Sequence, residues 1–436
     1  MKTRMLAGAA CAALLISVAP VSAATPSQPA AYAQVVGGST DQSVDAFYAA
    51  RRGVPFWLRG GPDSAAAHDL IGILQRSSLD GFASGPALAA QANGLLNRAR
   101  SGDAAALANA DRLLTTAWVM YVQALQRPPE GMLFADSWVT PRVQSAQEIL
   151  ARALAAKSPA AHVRSVSNPN PVYAQIRDSA WQQMQATGSP ADPRVLANLD
   201  RIRAMPFQSR YIVVDAASAR LWMVENGQIV DSMKVIVGKP STPTPMLAST
   251  IYYATLNPYW NVPPDLVRKL TAPKVLDQGV EYLKSHGYVV MTGYGDGAQK
   301  LDPTKVNWKA VADGRETVAV RQLPGPANSM GQMKFGFPNQ FDVYLHDTPQ
   351  KDLFASADRD ISNGCIRVED AKRLGRWLLG DDPVARSSEP EQHVLLPKPV
   401  PVYLTYLTAQ ADGGQLSFVD DVYGKDARAL QQVAAN

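Results

Sequence analysis

From about Thr40 to Arg203 apolar residues recur at three- and four-residue spacing, in segments such as AAAHDLIGILQRSSL, DAAALANADRLLTTAWVMYVQALQ and VQSAQEILARALAA. That period marks helices with one buried face. Loop-forming stretches, RPPEG, SNPNPV and GSPADP, punctuate them. After Pro206 the period falls to two. RYIVVDAASARLWMVENGQIVDSMKVIVG alternates apolar with polar residues and breaks at Glu225-Asn226-Gly227-Gln228, where Asn and Gly tolerate the positive φ of a tight hairpin. STIYYATLN, ETVAVRQLP, QFDVYLHD and PVPVYLTYLTA read as further strands. Among them runs a long excursion, residues 258–315, with a helix at PPDLVRKLTAPKVL whose prolines pre-set the first turn. Excursions of that length often cover a site. The pattern predicts a multidomain α + β chain. An all-α domain spans 24–205, and a β-rich domain spans 206–410 with 258–315 as a capping insertion. Residues 411–436 form a C-terminal extension.

The first residues change the picture of where this chain works. MKTRMLAGAACAALLISVAPVSAATPS has a basic start, an apolar run to Val18 and a small-residue Val21-Ser22-Ala23 site, which predicts a signal peptide over 1–23 and export to the periplasm. The run is short for a membrane span, so no span is expected after cleavage. Of two cysteines, Cys11 would leave with the leader, and Cys365 alone would remain, without an intramolecular partner. The formal net charge of +4 loses Lys2 and Arg4 on cleavage and becomes +2, nearly neutral. With no basic block, nucleic acid is excluded as an expected partner.

The single mature cysteine lies in HDTPQKDLFASADRDISNGCIRV, nineteen positions after His346. QFDVYLHD predicts a strand that delivers His346, and CIRV leads from a turn toward the helix EDAKRLGRWLLG. Both residues then sit at strand ends, where scaffolded side chains meet. A thiol attacks carbonyls as thiolate, so a neighbouring imidazole that favours the charged form and returns a proton to a leaving amine completes the needs of acyl transfer. Gly364 has no Cβ, and the amides of Asn363, Gly364 and Cys365 are candidate oxyanion donors. Ser362 is placed to brace the turn. Arg367 is suited to grip a carboxylate through its planar fork, or to pair with an acid and fix the loop. Asp347 follows His346 directly, so its side chain faces the opposite way. Its backbone carbonyl is the better orienter of the imidazole. Against this stands the ordinary fate of a free cysteine as a small buried hydrophobe, and of a histidine as a satisfied core residue. The Ser-Asn-Gly ahead of Cys365 favours an accessible turn. The mature chain shows neither HExxH nor a Cys-x-x-Cys pair, so no metal or other cofactor is expected.

YLHDTPQKDLFASADRDISNGCIRVEDAKRL resembles the catalytic signature of the L,D-transpeptidases, the YkuD-type domain: a His, then Ser-x-Gly-Cys-x-Arg. VIVGKPSTPTPM, LNPYWNVPPDL, RQLPGPANSMGQMKFGFPN and NLDRIRAM are similar to the larger periplasmic subgroup with an N-terminal scaffold and a capping lid. The resemblance implies Cys365 as nucleophile, His346 as general base and acid held by a backbone carbonyl, and an oxyanion hole around Gly364. It implies peptidoglycan stem peptides as substrate, cleavage after the third stem residue, a thioester on Cys365, and transfer to an amine to give a 3-to-3 cross-link. Water as acceptor would make the protein an L,D-carboxypeptidase, and an outer-membrane protein as acceptor would make it an anchoring enzyme. It further implies acylation by carbapenems. Tyr344, Trp260 and Asn339 lie in matching stretches and either line the donor groove or pack. Asn363 stands where many relatives carry His, and no three-helix peptidoglycan-binding module is evident. A wall-binding protein that kept the fold without catalysis is one rival. A papain-like hydrolase is another, disfavoured by the His-before-Cys order.

Overall fold

The alternation in RYIVVD is buried on both sides, and that explains how the two halves of the chain are joined. In a computed structural model describing residues 38–203, 209–295, 297–383 and 388–427, Ile212 and Val214 face one core while Tyr211 and Val213 face another. The expected leader and Cys11 lie outside the described residues.

The N-terminal half is helical: α1 (Gly38–Ala50), α2 (Ala65–Arg76), α3 (Gly85–Arg100), α4 (Ala104–Leu125), α5 (Ala146–Ala155), α6 (Pro159–Val166), α7 (Pro171–Thr187) and α8 (Pro193–Arg203). Asp103, Ser145, Ser158 and Asn170 cap four of these helices, each accepting from an amide three residues on. α4 is enclosed by the others, with Trp118 and Tyr121 wholly buried. Between α4 and α5, β1 (Leu133–Phe134) leaves this half and pairs with the sheet of the other.

That sheet contains β2 (Arg210–Asp215), β3 (Arg220–Glu225), β4 (Gln228–Gly238), β5 (Leu247–Leu256), β10 (Met333–Gly336), β11 (Leu345–His346), β12 (Asp360–Ser362), β13 (Ile366–Val368) and β14 (Gln392–Thr405). The predicted hairpin joins β3 to β4, with Asn226 at φ 49° and Gly227 at φ 78°. Pairing runs β5-β10-β11-β13-β4-β3-β2-β14 and returns to β5, so the sheet closes on itself. The register of β14 shifts between Leu395 and Val400, where Pro397 and Pro399 have no N–H to donate. Ile212, Val235, Ile251, Phe335, Leu345 and Ile366 fill the enclosed core. The outer faces of β2 and β14, through Val213 and Tyr403, join the helical cluster instead. A hairpin, β15 (Ala409–Asp412) and β16 (Gln415–Phe418), lies against α7 and α8.

The excursion builds a small sheet of its own from β6 (Trp260–Val262), β7 (Tyr288–Met291), β8 (Lys300–Leu301) and β9 (Ala319–Gln322). ETVAVRQLP therefore supplies a strand to the excursion, pairing with β6 and β7, and not to the closed sheet. PPDLVRKLTAPKVL is α-helical at Pro264–Leu266 and Ala272–Gln278, with a π turn at Val267–Thr271 between them. Pro273 has no N–H for the regular ladder, and Ala272 donates five residues back to Val267.

Candidate active site

Strand alternation decides which side chains meet. β11 and β13 run parallel, Leu345 opposite Ile366 and His346 opposite Arg367. Leu345 and Ile366 point into the enclosed core and are wholly buried. Tyr344, His346, Cys365 and Arg367 consequently share the opposite face, and all four line one cavity of about 290 Å³. Its far wall comes from the excursion: Trp260, Leu266, Leu270, Tyr282 and Tyr288. Tyr282 and Tyr288 stack with ring centroids 6.1 Å apart.

The turn carrying Cys365 is bonded to itself and to the loop after β4. Gly364 has φ 116°, a conformation open to glycine and strained for other residues. The Ser362 hydroxyl donates to the Cys365 carbonyl (2.6 Å) and accepts from the Gly364 amide (3.1 Å). Lys239 N–H donates to the Ser362 carbonyl at 2.9 Å, and the Thr244 hydroxyl to the Gly364 carbonyl at 2.8 Å. Ser362 thus braces the turn as expected. It also takes up the Gly364 amide, which removes that amide from the expected oxyanion donors and leaves those of Asn363 and Cys365 as candidates.

His346 Nδ1 lies 2.6 Å from the Asp347 carbonyl oxygen. A carbonyl only accepts, so Nδ1 carries the proton and Nε2 presents its lone pair. The Asp347 carboxylate faces away: Oδ1 accepts from Lys351 Nζ (2.7 Å) and Oδ2 from the Gln332 amide (2.9 Å). Burial, aided by the charges of Arg367 and Lys334, pushes the His346 pKa down to about 3 despite the Asp347 carbonyl. Burial also pushes the Cys365 thiol up, while the backbone amide and hydroxyl of Tyr344 and the Lys334 ammonium pull it back. Cys365 Sγ lies 3.6 Å from the Asp342 carbonyl. The resting pair is thus thiol and neutral imidazole. The expected charge-favouring effect of the imidazole on the thiol is not met at rest, because burial opposes both charges.

Arg367 Nη1 donates to Gln350 Oε1 at 2.8 Å, and burial lowers the guanidinium pKa. It pairs with an amide, not an acid. Trp260 stands on the cavity wall. Asn339 does not: its Nδ2 donates to the Phe337 and Val343 carbonyls and its Oδ1 accepts from the Phe341 and Val343 amides. With both ends of its amide engaged, Asn339 takes the packing role of its two expected readings and clasps the loop that carries Asp342, whose carbonyl lies 3.6 Å from Cys365 Sγ. Lys334, opposite His346 in β10 with Nζ 5.1 Å from the Tyr344 ring centroid, escaped the sequence reading. So did Tyr282, Tyr288 and Gln350. A lysine in MKFG carries no local sign that it will face a thiol.

Residues 209–385 match the L,D-transpeptidase catalytic domain (YkuD), and residues 42–179 match the family described as Scaffold domain. These matches identify an L,D-transpeptidase catalytic domain and an N-terminal scaffold domain in this chain. The L,D-transpeptidases are cysteine-dependent acyltransferases. A Haemophilus influenzae protein named "Putative L,D-transpeptidase" is 27% identical over 393 residues, covering 87% of this chain and 77% of the relative. Among solved structures, the L,D-transpeptidase from Mycobacterium smegmatis is 14% identical over 45% of this chain and 58% of its own, with a TM-score of 0.24. The E. faecium L,D-transpeptidase catalytic domain acylated by ertapenem is 14% identical over 46% of this chain and 98% of its own, with a TM-score of 0.23. No helix among the described residues is long and apolar enough to cross a membrane.

The depressed pKa of His346 has a stability consequence. Unfolded chains take up this proton near pH 6.5, whereas the folded protein does so only near pH 3. The contribution is complete above about pH 6.5 and is lost as pH falls toward about 3. Urea unfolding near neutrality and near pH 4.5 should show wild type losing more stability on acidification than His346→Gln, and equal losses would contradict the assignment.

Proposed function

We propose that this protein is a peptidoglycan L,D-transpeptidase with Cys365 as nucleophile and His346 as general base and acid. The observation that carries the reading is the shared face of β11 and β13, where a thiol and an imidazole with a free Nε2 line one cavity under the excursion. As Sγ attacks the carbonyl at the L-centre of the third residue of a tetrapeptide stem, its proton passes to Nε2. The oxyanion takes hydrogen bonds from the amides of Asn363 and Cys365. The tetrahedral intermediate collapses, the C–N bond breaks, Nε2 returns the proton to the departing D-alanine amine, and a thioester remains on Cys365. An amine of a neighbouring stem attacks the thioester and gives its proton to Nε2. The 3-to-3 cross-link forms, and the sulfur leaves and regains its proton.

Starting from a neutral pair suits this order of events. Proton transfer accompanies attack, so neither member of the reacting pair holds a buried charge before substrate arrives. The Tyr344 hydroxyl and Lys334 ammonium favour negative charge on sulfur as it develops and again as it departs. Arg367, held by Gln350, offers a cation on the same wall to a stem carboxylate. The aromatic and apolar side chains of the excursion shield the thioester from water and favour an amine as acceptor. Hydrolysis by the same thioester would give L,D-carboxypeptidase trimming, and a lysine of an outer-membrane protein would give anchoring. The leader read at residues 1–23 accords with work in the periplasm.

Acylation by a carbapenem, as in the E. faecium relative, tests the nucleophile. Intact mass spectrometry should find one adduct on wild type and none on folded Cys365→Ala. No adduct on either protein would leave a silent wall-binding protein as the better reading. Peptidoglycan digested after treatment with active enzyme should gain 3-to-3 dimers relative to Cys365→Ala. Tripeptides alone, or attached protein alone, would replace cross-linking with trimming or anchoring.

A further inference from the structure

The nucleophile turn is held from beneath by Thr244, and the loop carrying Thr244 is held in turn by a residue beyond the matched catalytic segment. The Gly364 carbonyl accepts from the Thr244 hydroxyl at 2.8 Å, and that hydroxyl oxygen accepts from the Gly238 amide at 2.9 Å. Tyr423, from the chain's last described segment, donates its hydroxyl to the Gly238 carbonyl and accepts from the Thr244 amide at 3.4 Å. A Cβ on Gly238 would stand 2.2 Å from the Thr242 carbonyl oxygen, so the strand end and this loop pack backbone against backbone.

Tyr423 is itself fixed. Its ring stacks on Tyr406, centroids 4.9 Å apart, and its amide donates to the Tyr406 hydroxyl at 3.0 Å. Three residues on, Asp426 accepts from Arg201 of α8 at 2.6 Å and from the Thr408 hydroxyl. Arg201 also donates to the Tyr406 carbonyl at 3.1 Å, and Asn198 of the same helix donates to Thr408 at 2.9 Å. Arg201, Asp426 and Thr408 are all buried. A buried ion pair is a poor source of stability by itself, and this one fixes Asp426 to α8, joining the two halves of the chain.

We propose that residues 421–427 are a clamp through which the helical half sets the nucleophile turn, with Tyr423 as a positioning residue for Cys365. The path runs from Arg201 through Asp426 and Tyr423 to Thr244, and ends on the Gly364 carbonyl, one peptide from the reacting sulfur. It gives the helical half a task in acyl transfer without any contact with substrate. The proposal rests on Cys365 being the nucleophile.

The test compares full-length wild type, Tyr423→Phe, Arg201→Met, Thr244→Val and Thr244→Ser. Acylation by a carbapenem is resolved into a maximal rate and a half-saturating concentration. Alkylation of Cys365 by iodoacetamide is followed against pH in parallel. Tyr423→Phe and Arg201→Met should lower the maximal rate about tenfold with the half-saturating concentration unchanged. Thr244→Val should do the same, and Thr244→Ser, which keeps the hydroxyl, should restore the rate. A residue that only stabilised the fold would lower the melting temperature and leave the maximal rate of the folded fraction alone. Rates within twofold of wild type in Tyr423→Phe and Arg201→Met overturn the proposal. If wild type itself is not acylated, the transpeptidase reading fails and the clamp is judged by alkylation. A shifted pH profile in Tyr423→Phe then supports it, and an unchanged profile overturns it.

Discussion

Everything at the site hangs on a parallel pairing of two short strands, β11 and β13. Because successive side chains alternate across a strand, one register puts Leu345 and Ile366 in the enclosed core and Tyr344, His346, Cys365 and Arg367 in the cavity. A slip of one residue would bury the imidazole in hydrocarbon and present leucine to the substrate. The core strands around the pair hold that register.

The second constraint is burial. Low polarity around His346 and Cys365 keeps both uncharged at rest, and the same low polarity strengthens each hydrogen bond that meets charge during reaction. The Asp347 carbonyl fixes which ring nitrogen carries the proton. Tyr344 and Lys334 supply what the imidazole does not supply at rest, a preference for negative sulfur.

What could be read from the sequence was what local pattern encodes. Helices with caps and apolar stripes, the Asn226-Gly227 hairpin, the orientation of His346 by a carbonyl, and the Ser362-to-Cys365 turn all depend on near neighbours. What escaped depends on distant ones. The clasp made by Asn339 looks on paper like any polar residue in a groove. Tyr423 meets Gly238 from 185 positions away, and no local period announces that. ETVAVRQLP has a strand's composition, but only tertiary pairing assigns it to the excursion's sheet. The neutral resting pair was hidden for the same reason, since burial is a property of the assembled fold.

The central claim is that the imidazole at the nucleophile waits neutral, with its proton on Nδ1 and Nε2 open toward the cavity. Nitrogen-15 NMR of histidine-labelled enzyme, with His346 assigned through His346→Gln, measures this directly. The account predicts a single Nδ1–H tautomer that does not titrate between about pH 7.5 and 4.5. An imidazolium at neutral pH, or a proton resident on Nε2, would contradict it.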